Sequence, residues 1–186
     1  MKLLNIQRET NNEYLNLYRL ELINKVGNHK DYYLASRRDK EELACVTRNH
    51  NICDGVLILP ITKEDEVVLI KQYRPAIGDF IYELPAGLID KGEEIEEAAK
   101  RELYEETGLR CLSSELILKP SYVSAGLTDE SIAVVKMLVE GEPNTDNLEE
   151  DEEIEVIKIK FNELKDFISK NNVAAKEALI LMILSK

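Results

Sequence analysis

The carboxylates of one predicted helix, residues 94–107, could together hold a cation. At about 100° per residue, Glu102 and Glu106 fall within the apolar stripe that should face the protein. They lie one turn apart, where like charges repel each other. Glu105 and Glu106 also occupy the last turn, before a C-terminal Gly108, where the helix dipole disfavours anions. Bound cations would explain this cluster, and carboxylates without His or Cys suit Mg²⁺ first and Mn²⁺ second.

The alternative for this helix is an ordinary solvated acidic face. The opposite side already carries Glu96, Glu97 and Lys100, so the helix does not need Glu102 and Glu106 to make it soluble. The position of Glu102 and Glu106 around the helix axis therefore favours a metal site over a solvated face.

The composition indicates a globular chain with one core, or a core with a small appendage. The 186 residues carry a net charge of −12, which argues against a general binder of nucleic acid or anionic membranes. An anionic small-molecule substrate stays possible, because bound divalent ions reverse the local field. The three cysteines have no metal-type spacing, so we expect reduced thiols in a cytoplasmic protein. We expect neither a signal peptide nor a membrane-spanning segment.

The elements that must position the acidic helix follow a mixed order. Hydrophobic patterning predicts strands followed by a helix, further strands and two closing helices, which indicates a layered α/β domain. The predicted strands cover 14–23, 31–39, 55–61, 66–73, 80–84, 114–120, 131–139 and 153–161. The closing helices cover 162–170 and 173–185, and the apolar run ALILMIL predicts that the last helix is packed.

The first 45 residues look like a separate antiparallel β element. A strand pair of this size cannot bury both faces alone, so we expect it to pack on the main domain or on a second subunit. The chain is accordingly divided into an N-terminal element, 1–45, and a main domain, 46–186.

The segment GLIDKGEEIEEAAKRELYEETGL, residues 87–109, resembles the signature of the Nudix hydrolases. The pattern is Gly, five residues, Glu, seven residues, then Arg-Glu-aliphatic-any-Glu-Glu-any-Gly-aliphatic, and every fixed position is met. KQYRPAIGDFIYELPAGLID before it and EDEEIEV after it resemble ADP-ribose pyrophosphatases, as does DYYLASRRD near the N-terminus. The resemblance implies an α/β/α Nudix sandwich with a mixed sheet.

The resemblance also implies roles for the residues of this signature. Glu102, Glu105 and Glu106 would be metal ligands together with the backbone carbonyl of Ala86, and Glu105 also belongs to the candidate catalytic carboxylates. Four further positions would be structural, namely Gly87, Glu93, Arg101 and Gly108. Arg101 and Glu105 have the i,i+4 spacing that allows an ion pair.

A distal acidic loop would supply the group that activates water. Glu152 matches the family's loop glutamate, and Glu150 is the alternate. The alternative for LEEDEE is an ordinary solvated loop. Only the resemblance favours a functional role for Glu152 over this alternative.

Three residues outside the signature match substrate contacts of similar enzymes. Arg74 in KQYRP would contact the substrate, Tyr32 would stack on the adenine from a partner subunit, and Arg37 would lie nearby. The alternative for Tyr32 is a cross-strand packing residue. One position departs from the ADP-ribose group, because Ala125 stands where that group usually has proline. This departure concerns the choice of nucleotide sugar and not the type of reaction.

The predicted function is hydrolysis of the diphosphate bond of a nucleoside diphosphate sugar, with two or more Mg²⁺ or Mn²⁺ ions per site. ADP-ribose would give AMP and ribose 5-phosphate. The alternatives are another nucleotide sugar such as GDP-mannose, a non-catalytic nucleotide-sugar-binding regulator, or a structural cation-binding protein. We expect a homodimer whose N-terminal strands contribute to the partner's site, because an uncovered strand pair invites exchange between protomers.

Overall fold

The computed structural model describes residues 1–148 and 153–185. Within these ranges the chain forms ten strands, four α-helices and one 3₁₀ turn. The strands are β1 (Lys2–Arg8), β2 (Asn16–Ile23), β3 (His29–Ser36), β4 (Gly55–Ile61), β5 (Glu66–Arg74), β6 (Asp79–Glu83), β7 (Ala86–Leu88), β8 (Arg110–Tyr122), β9 (Ser131–Glu140) and β10 (Ile154–Lys160). The helices are α1 (Ala44–Thr47), α2 (Ile95–Thr107), α3 (Leu164–Lys170) and α4 (Ala175–Leu184), and the 3₁₀ turn Phe161–Glu163 precedes α3.

The predicted class is confirmed, since the chain combines a seven-stranded mixed sheet, helices and a small antiparallel sheet. Most predicted strands recur within a few residues of their predicted bounds. Three elements went unpredicted: the strands β1 and β7 and the one-turn helix α1. In β1, one of the seven side chains is buried, so the alternation that marks a half-buried strand is weak.

The first compact unit consists of residues 1–54 and 120–132. Its sheet has the order β1-β2-β3, with both pairs antiparallel. The core of this sheet contains Ile6, Tyr18, Leu20, Leu34 and Leu43. The boundary predicted after residue 45 stays a prediction.

The second compact unit consists of residues 55–119 and 133–186. The larger sheet has the order β10-β5-β4-β9-β8, with β6 attached to β5 and β7 attached to β4. Strands β4 and β5 are buried on both faces, as their continuous apolar runs require. Strand β6 ends shortly before Pro85, which has no N–H to donate to a neighbouring strand. A separate strand, β7, then pairs with β4 directly before the acidic segment.

Helix α2 packs through its small and apolar side chains on the central strands of this unit. Ala98, Ala99 and Leu103 are fully buried in the same cluster as Val56 of β4 and Val135 of β9. The two alanines let the helix axis approach the sheet closely. The helix is thus held with its Ala-Leu stripe inward, and this fixes the direction of its glutamates.

The C-terminal helix α4 packs by a narrow stripe. Leu181 is buried, whereas Leu179, Met182 and Ile183 are each at least half exposed. The helix predicted from ALILMIL is present, but most of its apolar surface is uncovered in the single chain. Among the described residues, no helix has both the length and the apolarity needed to cross a bilayer.

Candidate active site

The acidic helix has the rotation that its sequence predicts. Glu106 is only 3% exposed, and the side chain of Glu102 is 14% exposed. On the opposite face Glu96 and Glu97 are exposed. Glu105 is intermediate, with 43% of its side chain exposed. Burial of the Ala-Leu stripe therefore carries two carboxylates inward with it and leaves a third at the edge.

The helix ends where the predicted C-terminal glycine stands. Gly108 has φ of 68°, the left-handed conformation that favours glycine, and its N–H donates to the carbonyl of Tyr104. A Cβ at this position would also overlap the side chain of Asn144. Glu105 and Glu106 accordingly lie in the last turn, at the negative end of the helix dipole.

The strand β7 meets the inward carboxylates through its backbone. The N–H of Ala86 donates to Oε2 of Glu106 at 3.0 Å. A Cβ on Gly87 would overlap the carboxyl group of Glu102. A side chain at this position would therefore displace the Glu102 carboxylate from the β7 backbone, so glycine is favoured here by a close approach and not by an unusual φ.

Arg101 organises the remaining acids of the site. Its guanidinium makes two hydrogen bonds to Glu93, at 3.0 and 2.9 Å, and one to the carbonyl of Leu88 at 3.0 Å. It also donates to Glu102 at 2.8 Å and to Glu105 at 3.0 Å. The bonds to Glu93 come first among the causes that raise the pKa of Arg101, and the same bonds lower the pKa of Glu93.

This arrangement puts one positive charge against three carboxylates, with Glu106 close by. No group of three His, Cys, Asp or Glu side chains is arranged to hold a metal ion as the described residues stand. Instead, Arg101 neutralises part of the charge that a cation would take. The donor set still fits a hard divalent ion, because it consists of carboxylate oxygens and a close backbone at Gly87. Glu102, Glu105, Glu106 and the carbonyl of Ala86 are the residues that would hold it.

Arg74 lies at the end of β5 and pairs within the same unit. Its Nε donates to Oε2 of Glu83 at 2.7 Å, and 45% of its side chain is exposed. Glu83 is the more buried partner, with 15% exposure. Arg74 could be identified from the sequence and Glu83 could not, although both belong to the segment that resembles ADP-ribose pyrophosphatases.

Tyr32 and Arg37 lie in the first unit and contact the loop SAGLTDE, residues 124–130. The hydroxyl of Tyr32 donates to the carbonyl of Gly126. Arg37 is 43% exposed and lies 3.6 Å from Glu130. The two predicted substrate residues thus both contact the loop that contains Ala125, the position where the ADP-ribose group usually has proline. Their substrate roles stay predictions.

The candidate loop glutamates, Glu150 and Glu152, lie outside the described residues. Their assignment as water-activating groups therefore rests on the resemblance alone.

A second cluster of charged side chains, in the first unit, was not predicted from the sequence. Arg38 is 8% exposed and forms a bidentate pair with Asp54, at 2.9 and 2.6 Å. Asp129 lies 3.9 Å from the same guanidinium and accepts from the N–H of Ala44. No local sequence pattern predicts this cluster, because its members are far apart along the chain.

One further buried acid lies in the second unit. Glu177 of α4 is 2% exposed, and its Oε2 has no hydrogen-bond partner among the described residues. Burial raises the pKa of this carboxyl. Nothing in the sequence pattern distinguished Glu177 from the solvent-facing acids of the other helices.

Comparison with known proteins assigns the chain to a family. The model of the NUDIX domain matches residues 52–181. The methanol dehydrogenase activator of Bacillus methanolicus is 35% identical over 128 residues, which are 68% of each chain. The ADP-ribose pyrophosphatase of Saccharomyces cerevisiae is 34% identical over 145 residues, which are 72% of this chain and 62% of the yeast protein.

A bacterial pyrophosphatase and a solved structure extend the comparison. The ADP-ribose pyrophosphatase of Bacillus subtilis is 34% identical over 122 residues, or 64% of each chain. The matched regions thus cover less than two thirds of both pyrophosphatases. A crystal structure of an ADP compounds hydrolase superposes with a TM-score of 0.76 over 98% of this chain and 91% of that chain, at 22% identity, and confirms the predicted fold. The model of the NUDIX domain matches most of this chain, and the relatives agree with it. The chain therefore belongs to the Nudix family.

Proposed function

We propose that this protein hydrolyses the diphosphate bond of a nucleoside diphosphate sugar, with ADP-ribose as the best substrate and AMP and ribose 5-phosphate as products. The observation that carries the proposal is the inward direction of Glu102 and Glu106 beside the bare backbone of Gly87. The pyrophosphatase relatives of yeast and Bacillus subtilis support the substrate class.

The three helix glutamates supply the charge that the reaction needs. A diphosphate resists attack because its own negative charge repels nucleophiles. Divalent ions, Mg²⁺ or Mn²⁺, would neutralise that charge and lower the pKa of an attacking water. Glu102, Glu105 and Glu106 would hold two or more such ions with the carbonyl of Ala86. Before the ions bind, Arg101 keeps Glu102 and Glu105 oriented, because it donates to both carboxylates.

A further carboxylate must accept the proton of the attacking water. Glu152 is the proposed acceptor, with Glu150 and Glu105 as alternates. Glu105 has the exposure that this role needs, since 43% of its side chain is accessible.

The substrate residues divide between the two units. Arg74 offers a half-exposed guanidinium, the group best suited to a phosphate oxygen. Tyr32 and Arg37 are proposed to hold the base. Their contacts with Gly126 and Glu130 fix both side chains on the 124–130 loop. We further propose a cytoplasmic homodimer in which the N-terminal strands complete the partner's site, with 1–45 as the exchanged element.

A turnover panel tests the proposal. ADP-ribose, GDP-mannose and other nucleoside diphosphate sugars are incubated with the protein and Mg²⁺ or Mn²⁺, and the phosphate monoesters are identified by chromatography. We expect ADP-ribose among the best substrates, loss of turnover in excess EDTA, and its return when the metal is restored.

Two outcomes would change the assignment. Full activity in excess EDTA would overturn the metal role of the glutamates. A GDP-sugar turned over about tenfold more efficiently than ADP-ribose would favour the alternative function, a pyrophosphatase for another nucleotide sugar such as GDP-mannose. A few contacts in the substrate pocket can produce a difference of about tenfold in efficiency.

A regulatory function is the second candidate, because the relative from Bacillus methanolicus is named an activator of another enzyme. The same panel separates the two classes. A regulator without catalysis would bind nucleotide sugars, by calorimetry, and release no monoester from any of them.

A further inference from the structure

The carboxyl group of Glu177 in α4 is buried without a partner that would explain its burial. The residue is 2% exposed, and Oε2 has no hydrogen-bond partner among the described residues. Nζ of the neighbouring Lys176 lies 4.0 Å from Oε1, which is too far for a hydrogen bond. A buried acid that is left unsatisfied costs stability, so Glu177 is a candidate for a functional role.

The start of α4 is fixed beside the end of β6 by two backbone hydrogen bonds. The N–H of Tyr82 donates to the carbonyl of Asn172 at 2.9 Å, and the N–H of Ala174 donates to the carbonyl of Tyr82 at 3.1 Å. Glu83 follows Tyr82 directly in the chain. Glu177 follows Ala174 by about one helical turn. The two bonds therefore bring the first turn of α4 to the part of β6 that carries Glu83.

Three charged groups act on the buried carboxyl, all of them in the second unit. They are Lys176 of α4 itself, Glu83 of β6 and Arg74 of β5. Burial is the largest cause that raises the pKa of Glu177, and the negative charge of Glu83 adds to it, whereas the positive charges of Lys176 and Arg74 lower it. The carboxyl therefore keeps its proton to a higher pH than an exposed glutamate does.

We propose that Glu177 controls the affinity for the anionic substrate, because its buried carboxyl sets the net charge around Arg74. While Glu177 is neutral, the guanidinium of Arg74 faces one carboxylate, that of Glu83, to which its Nε donates at 2.7 Å. Once Glu177 ionises, two carboxylates act on one guanidinium, and the excess negative charge opposes the binding of a diphosphate. Glu177 thus acts through Arg74 and needs no contact with the substrate.

This inference rests on the proposed function, in which Arg74 contacts a nucleoside diphosphate sugar. It adds a reason for the burial of Glu177. A glutamate that is kept neutral leaves the half-exposed Arg74 with a single counter-charge, and that leaves the guanidinium better able to attract a phosphate.

Binding without turnover tests the effect on affinity. The dissociation constant of ADP-ribose is measured by calorimetry in excess EDTA at a series of pH values between about 5 and 9. The diphosphate keeps its charge over this range, so we expect the constant of the parent to rise about tenfold as Glu177 loses its proton. In Glu177→Gln, which stays neutral, this rise should be absent. Groups that titrate elsewhere act on both proteins alike, so the difference between the two curves isolates Glu177.

A matched variant controls for the loss of one acidic group. Glu163→Gln changes an exposed residue of the 3₁₀ turn before α3 and should follow the parent at every pH. Circular dichroism checks that each variant is folded. Calorimetry in buffers of different ionisation enthalpy gives a second readout. By linkage, ADP-ribose should bind with uptake of protons in the parent and with less uptake in Glu177→Gln.

Titration of the Glu177 carboxyl tests the coupling without any substrate. The protein is labelled with ¹³C at its glutamate carboxyl groups, and the signal that is absent from Glu177→Gln identifies the residue. Arg74→Gln should raise the pKa of Glu177, since a positive neighbour is lost. Glu83→Gln should lower the same pKa, since a negative neighbour is lost.

The proposal is overturned if the dissociation constants of the parent and of Glu177→Gln depend on pH in the same way. It is equally overturned if neither Arg74→Gln nor Glu83→Gln moves the pKa of Glu177, or if the parent binds no ADP-ribose at any pH. Failure of the proposed function has a different sign, namely the absence of phosphate monoesters in the turnover panel. A chain that turns over ADP-ribose and shows no difference between the two curves contradicts only the role of Glu177.

Discussion

Two arginine–carboxylate clusters in this protein use the same chemistry in opposite ways. In the first unit, Arg38 is 7% exposed at its side chain, and its partners Asp54 and Asp129 are 13% and 8% exposed. In the second unit, Arg101 is 30% exposed, and Glu105, one of its partners, is 43% exposed.

The partners of the two arginines differ in what else holds them. Asp54 also accepts from the backbone N–H of Ser131 at 2.7 Å, and Asp129 accepts from the N–H of Ala44 at 2.9 Å. These backbone donors hold both aspartates in place beside Arg38. Around Arg101 three carboxylates share a single guanidinium, so negative charge is in excess and partly open to solvent. A buried cluster held by backbone donors stabilises the fold, whereas an excess of accessible carboxylates can take a cation.

The largest effect should follow from breaking the buried cluster. Arg38→Met leaves Asp54 and Asp129 buried without their counter-charge, and removing one partner of a buried pair costs about 3–5 kcal/mol. Arg101→Met removes a partly exposed cation and should cost about 1 kcal/mol or less of folding free energy. Urea unfolding measures both. Equal losses for the two variants would contradict the distinction between the clusters.

The next effect concerns catalysis. Glu106→Gln keeps an acceptor for the N–H of Ala86 but loses the charge, so kcat should fall about 10²-fold or more, with an unchanged circular dichroism spectrum. Glu97→Gln, on the exposed face of the same helix, is the matched control and should keep the parent's kcat. A Glu106→Gln variant within about threefold of the parent would show that these carboxylates are misassigned.

A smaller effect should appear at Glu177. The folded protein holds the pKa of this buried acid above its ordinary value of 4.5. The carboxyl therefore costs stability that grows as the pH rises above 4.5, where the unfolded chain loses its proton first. Glu177→Gln removes this cost, about 1 kcal/mol for an unsatisfied buried group. The melting temperature should rise by about 2–4 °C at pH 8, with little change near pH 4.5. An equal change at both pH values would contradict this cause.

The smallest effect should appear at Glu93. Its hydrogen bonds to Arg101 lower its pKa below the ordinary 4.5, so the stability they contribute is present above that value and is lost as the pH falls through the folded pKa. Unfolding free energies of the parent should therefore decline more steeply below pH 4.5 than those of Glu93→Gln. Glu97→Gln, which carries no such bonds, should follow the parent. Parallel curves for the parent and Glu93→Gln would mean that the ion pair contributes nothing measurable.

Much of the helix site follows from local sequence. The phase of Glu102 and Glu106 could be read from the apolar stripe, because a helix has a fixed period and buries its apolar side. Gly108 could be recognised because a left-handed helix end favours glycine. Gly87 was found only through the resemblance, since its requirement comes from the Glu102 carboxylate and not from its own backbone.

The remaining site residues needed the folded chain. Tyr32 and Arg37 were identified by resemblance, but their contacts with residues 124–130 join segments far apart in sequence. Glu83 was missed because its partner Arg74 lies on the neighbouring strand, where the register places Ile70 and not Arg74 opposite Glu83. The contact between the two side chains is decided only in the folded sheet.

The sequence by itself determined the α/β class, the acidic helix and the direction of its carboxylates, because these depend on periodicity within one element. The tertiary structure decided which charges meet. Arg38 and Arg101 look alike in the sequence, yet one is buried against two aspartates of distant segments and the other stands among glutamates of its own helix and the loop before it. Pairing across distant segments depends on how the strands assemble, and no local pattern contains that information.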